Sequence, residues 1–288
     1  MSATSHVERP RRVTISSVPY LPGLDGLRAL AVIAVMIYHA DPSWLPGGFL
    51  GVEVFFVISG YLITLLLMAE RERDGRINLG AFWMRRARRL LPALFAVMVA
   101  LAIWTTIAKP EALGKVRGDL IARFFYVSNW FQIWVGAGYA SSGDFAPLRH
   151  LWSLAVEEQF YLVWPLVMAV VLRGGTRRVA RPVLWMLGVV AAVTVVTSLA
   201  VHGGPIGECS ITPEAYWTFG DRCIAKADAL YLSTIARSTG LLLGAVMAML
   251  WRPVAVMRGP MARRGLLLDL IAVLGLVGLA LVATRYHF

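Results

Sequence analysis

Seven stretches of this 288-residue chain stay apolar long enough to cross a bilayer as helix, at 24–40, 49–68, 90–108, 150–172, 182–201, 229–251 and 265–283. A hydrocarbon core about 30 Å thick takes about 20 helical residues, and runs of that length do not arise from core helices of a soluble domain. With 58% hydrophobic and only 16% charged residues, the chain reads as all-α: a polytopic transmembrane helix bundle of about seven spans plus one interfacial or re-entrant segment.

The net charge of +11 would suggest nucleic-acid binding in a soluble protein. Its distribution points elsewhere. Most of the 28 Lys and Arg fall in four blocks, Arg9–Arg12, Arg71–Arg89, Arg173–Arg181 and Arg252–Arg264. Basic loops alternating with poorly charged ones are the positive-inside pattern. These blocks are expected on the cytoplasmic side, and no nucleic-acid partner is implied. The basic segment 1–23 precedes the first run without a clean cleavage site, so an uncleaved anchor with a cytoplasmic N-terminus is expected. The membrane domain then runs over 24–288.

The stretch DLIARFFYVSNWFQIWVG at 119–136 is apolar enough to resemble a span. Were it to cross, RGGTRRVAR would fall outside, so charge parity predicts that it does not. Arg123, Asn129 and Gln132 break it, and its aromatic content suits an interfacial or re-entrant helix whose polar groups face protein or water. Cys209 and Cys223 lie in the polar loop 202–228, on the side opposite the basic blocks. A disulfide there would close a loop of about 15 residues, worth about 3 kcal/mol by loop-closure entropy. Two free thiols are the competing reading.

Ionisable groups at bilayer depth cost several kcal/mol unless paired or hydrated, so each is a functional candidate. In LDGLRALAVIAVMIYHA, Arg28 and His39 are eleven residues apart. That separation leaves them within about 20° of one helix face and about 16–17 Å apart along the axis. Asp25, one turn before Arg28, is placed to neutralise it. The alternative for both is interfacial snorkelling. In LRHLWSLAVEEQFYLVWP, Glu157 and Glu158 point about 100° apart. His150 lies two turns before Glu157 and Tyr161 one turn after it, which builds a polar stripe at the depth of His39. A carboxylate beside an imidazole orients it and raises its basicity; a structural carboxylate set against an Arg is the alternative. FWMRRARRLLP holds two overlapping pairs, Arg85/Arg88 and Arg86/Arg89. Their guanidinium forks suit phosphate, and also simple cytoplasmic anchoring. GGFLGVEVFFVISGYLI carries small residues, Ser59 among them, that favour close helix packing, and Glu53 near the outer end.

These segments, in this order, closely resemble the motifs of the acyltransferase-3 superfamily, bacterial inner-membrane enzymes that O-acylate sugars and other acceptors. The likeness covers about 20–251, since YLSTIARSTGLLLGA, with Arg237, also looks like a family segment. The resemblance implies a catalytic Arg28 and His39. It associates the paired arginines (Arg85, Arg86, Arg88, Arg89) with the acyl-CoA donor, and it places the family's carboxylates on Glu157, Glu158 and Glu53.

The expected reaction moves a short acyl group from cytosolic acyl-CoA to a hydroxyl of an envelope glycan or glycolipid. His39 would take the acceptor proton, a neighbouring Glu would orient it, and Arg28 would stabilise developing charge or position the acyl group. Acyl-CoA is a substrate here; no permanently bound cofactor and no metal are implied. Family members usually have about ten spans, so this chain is expected to be C-terminally short. An intramembrane proton- or anion-coupled transporter and an inactive short paralogue remain the alternatives.

Overall fold

A computed structural model describes residues 20–136, 148–176, 178–201 and 207–285. Among them are α1 (Pro22–Ala40), α2 (Gly51–Asp74), α3 (Leu79–Ala108), α4 (Leu113–Phe124), α5 (Ser128–Val135), α6 (Trp152–Val171), α7 (Ala180–Ala200), the strands β1 (Tyr216–Phe219) and β2 (Arg222–Ala225), α8 (Lys226–Leu232), α9 (Thr234–Leu250), α10 (Pro253–Arg258) and α11 (Gly265–Arg285). Seven helical segments are long and apolar enough to cross a membrane, and each falls on one of the seven predicted spans. The protein is an integral membrane helix bundle. The expected N-terminal segment lies almost wholly outside the described residues.

Two ends of the bundle are distinguishable without reference to a membrane. The basic end carries the α2–α3 turn and the α9–α10 junction. There Glu72 accepts from Arg252 at 3.1 Å and from Thr176 at 2.6 Å, and Arg252 also donates to the Thr176 carbonyl. The opposite end carries the Cys209–Cys223 bond, with Cα atoms 6.2 Å apart. Cys223 lies in β2, paired antiparallel to β1. This small hairpin is the one departure from an all-α reading among the described residues.

The third span differs from its predicted limits. It starts at Leu79, because Asn78 caps the helix through its side chain (3.0 Å to the Ala81 amide) and Glu70 accepts from the Asn78 amide at 2.9 Å. Thirty residues extend about 45 Å. The Arg85–Arg89 run is therefore helical, and which arginines share a face is fixed by the helical period.

The ambiguous stretch 119–136 is not one helix. Tyr126 adopts φ 53° and breaks the chain into α4 and α5, each too short to span. Their polar groups face protein, as the sequence required. Asn129 donates to the Leu232 carbonyl and Thr234 at 3.0 and 2.9 Å. Gln132 reaches the Arg149 carbonyl at 3.0 Å. Gln159 of α6 donates to the Tyr126 carbonyl at 2.6 Å and to Asn129 at 3.0 Å. Arg123 pairs with Asp119 at 3.1 Å. Burial lowers the Arg123 pKa against the pull of Asp119. Burial also raises that of Tyr126, with the Glu158 charge adding to it.

Glycines set the helix spacing at the centre. A Cβ on Gly60 would run into the Leu241 carbonyl of α9, and one on Gly244 into the Val57 carbonyl of α2. Gly48 and Gly51 likewise abut the Ala34 and Ala31 carbonyls of α1. Backbones this close exchange dispersion over their whole length, which is how small residues drive helix association in lipid. Phe56, Trp152, Trp164, Met168 and Leu241 fill the core around them.

Candidate active site

The α1–α2 contact and the crossing of α3 and α6 leave a cavity of about 740 Å³ between these four helices. Its lining includes Asp25, Arg28 and His39 from α1, Phe55 and Phe56 from α2, Arg86 and Arg89 from α3, and His150, Glu157, Glu158 and Tyr161 from the α6 segment. Along α1, Asp25 to His39 measures about 21 Å at helical rise, so one space runs from near the basic end toward the disulfide end. The predicted common face of Arg28 and His39 is the face that lines it.

The polar groups divide by depth. Toward the disulfide end, the His39 ring lies 5.9 Å from that of His150, centroid to centroid, and His39 Nδ1 meets the Val35 carbonyl at 2.7 Å. Farther in, Arg28 Nη2 donates to Ser59 Oγ at 3.4 Å. Ser59 Oγ and Tyr161 Oη both donate to Oε1 of Glu157. Glu158 lies 3.7 Å from Arg86, whose guanidinium sits over the Tyr161 ring at 3.5 Å.

Several expectations are corrected. His39 Nδ1 meets the Val35 carbonyl, while Glu157 accepts from Ser59 and Tyr161 and Glu158 lies beside Arg86. Within the polar stripe, His150 is the member whose ring packs against His39. Asp25 does not neutralise Arg28, which turns toward Ser59 and over the Phe55 ring (5.2 Å). The helical α3 separates the two arginine pairs: Arg86 and Arg89 line the cavity, whereas Arg85 pairs with Glu70 at 3.4 Å and Arg88 is exposed. Glu53 and Arg237 pair with each other outside the cavity lining, with Arg237 stacked 4.0 Å over Tyr231. That position makes them a brace between α2 and α9.

Ser59 is the polar group that sequence reasoning passed over. Its place before Gly60 groups it with the packing residues. Nothing in the α2 sequence signals that Glu157, 98 positions away, lies opposite.

A family profile described as an acyltransferase domain matches residues 21–287. The chain belongs to the acyltransferase-3 family. Within that family it is 40% identical over 267 residues to the O-acetyltransferase OatA of Staphylococcus aureus, covering 93% of this chain and 40% of that protein. It is 51% identical over 164 residues to the peptidoglycan O-acetyltransferase OatA of Listeria monocytogenes, covering 57% of this chain and 26% of that protein. A putative O-acetyltransferase of S. aureus is 38% identical over 242 residues, 84% of this chain and 36% of that relative. The chain thus spans about 40% or less of the length of these relatives. No solved structure matches it.

Proposed function

We propose that this acyltransferase-3 domain moves a short acyl group, acetyl in the first instance, from acyl-CoA at the basic end to a hydroxyl of an envelope glycan at the disulfide end. The basic end then faces the cytosol, in keeping with the positive-inside rule. The observation that carries the reading is the single cavity with Arg86 and Arg89 among its lining toward one end and His39 and His150 toward the other. The relatives are named for O-acetylation, one of them for peptidoglycan O-acetylation, which supports acetyl as the acyl group and a glycan as the acceptor class.

Chemically, the acceptor oxygen attacks the thioester carbonyl, a C–O bond forms, the C–S bond breaks, and CoA leaves as thiol. His39 takes the hydroxyl proton and passes it to the leaving sulfur. Its Nδ1 lies against a backbone carbonyl, which favours the tautomer with the proton on Nδ1 and the basic lone pair on Nε2. Arg28 lies about 16 Å from His39 along α1, too far to serve an oxyanion formed beside the imidazole. Its task is to hold the donor's arm midway. Arg86 and Arg89 present guanidinium forks to the donor's phosphates.

The test is turnover by purified protein in lipid discs. Release of free CoA from acetyl-CoA in the presence of glycan fragments, with ester appearing on the glycan, supports the proposal. Binding without CoA release, or ion flux in sealed vesicles, would point to a transporter or an inactive homologue and overturn it.

A further inference from the structure

We infer that Ser59 is a positioning residue that locks Glu157 and Arg28 into one charged unit in the middle of the cavity. Its role in catalysis rests on the proposed acyl transfer; its role in joining the two charges does not. Ser59 is 1% exposed and Glu157 8%. The one Ser59 hydroxyl proton goes to Glu157, and the oxygen accepts from Arg28 at 3.4 Å. Arg28 Nε is buried without a hydrogen-bond partner, and Ser59 is the one hydrogen-bond acceptor of this guanidinium among the described residues.

A Glu carboxylate turns easily about its last torsion. Two hydroxyl donors on the same oxygen, from α2 and from Tyr161 one helical turn along α6, remove that freedom. The result is an anion held across a hydroxyl from a cation, with each charge partly compensated where water is scarce. Direct contact would quench the guanidinium more fully. The intervening hydroxyl leaves Arg28 turned toward the cavity it lines. Through Tyr161 the same oxygen connects to Arg86, stacked on the phenol ring, so the unit joins the mid-cavity cation to the donor-end cation.

Ser59→Ala removes the hydroxyl with little change of volume, and Ser59→Thr restores it. For Ser59→Ala, acetyl-CoA turnover in lipid discs is expected to fall on the order of 10-fold in kcat with KM nearly unchanged, and Ser59→Thr to recover most of it. In combination with Glu157→Gln, Ser59→Ala is expected to lose no more than Glu157→Gln alone. Unchanged kcat in Ser59→Ala, independent losses in the double variant, or no rescue by Thr each overturn the inference. So does a Ser59→Ala protein that fails to purify as a single folded species while Ser59→Thr behaves like the parent, because the hydroxyl then serves folding. Melting in detergent reads the joined pair without any turnover. Non-additive shifts of the midpoint for Ser59→Ala and Arg28→Gln support it and additive shifts overturn it, even where the parent proves inactive and the proposed function itself fails.

Discussion

The Arg86 guanidinium lies over the Tyr161 ring, with Cζ 3.5 Å from the centroid, and Glu158 stands 3.7 Å from the same arginine. A flat cation against a ring face is held by the quadrupole and by dispersion. Arg86 is thereby pre-set in orientation, which a flexible surface arginine such as Arg88 is not.

Lysine at this position keeps the charge and loses the planar stack and the fork. Arg86→Lys is expected to raise the KM for acetyl-CoA about 10-fold, whereas Arg88→Lys leaves it within about 2-fold. Steady-state kinetics on the two variants checks this. Equal effects would mean that the overlapping arginine pairs are used interchangeably.

His39→Ala is expected to lower kcat by about 10²–10⁴, the range for loss of a general base, while binding of acetyl-CoA measured by calorimetry is retained. His150→Ala, which removes the neighbouring ring but not the base, is expected to cost less than one tenth as much in rate. A reversed order would move the base to His150.

The α2–α9 contact depends on hydrogen in place of a methyl. Gly244→Ala pushes a Cβ into the Val57 carbonyl and is expected to destabilise by about 1–3 kcal/mol, read as a lower melting midpoint in detergent. Gly278→Ala, with nothing within 4 Å of the added carbon, is the matched control and is expected to leave the midpoint unchanged or slightly raised.

Replacing Cys209 and Cys223 together by Ser releases the loop tie on the β1–β2 hairpin. About 3 kcal/mol of constraint is lost, so proteolysis within 207–225 is expected to speed up on the order of 100-fold while the seven spans resist cleavage. Mass spectrometry of the fragments identifies the cut site.

Much of this architecture was legible before any coordinates. Seven apolar runs named the seven crossings, because lipid leaves a chain few other ways to satisfy its backbone. The parity of the Arg blocks predicted that 119–136 does not cross, and the structure breaks that stretch at Tyr126 into two helices too short to span. The eleven-position separation of Arg28 and His39 puts them on one face by helical period alone. The overlap of the arginine pairs could not be settled so directly, since the helix start at Leu79 depends on the Asn78 cap and on the bond its amide donates to Glu70.

The sequence by itself determined what lies along each helix: which segments enter the membrane, which ionisable groups go with them, and which of those share a face. Only the tertiary structure decided what meets across helices. Glu157 accepts from Ser59 and Tyr161; Arg86 lines the cavity and Arg85 does not; Glu53 pairs with Arg237. The physical reason is that a helix's own period is local and computable, whereas the rotation and depth of one helix against another follow from packing many residues at once. Here that packing turns on close approaches at Gly48, Gly51, Gly60 and Gly244, whose partners lie in other helices.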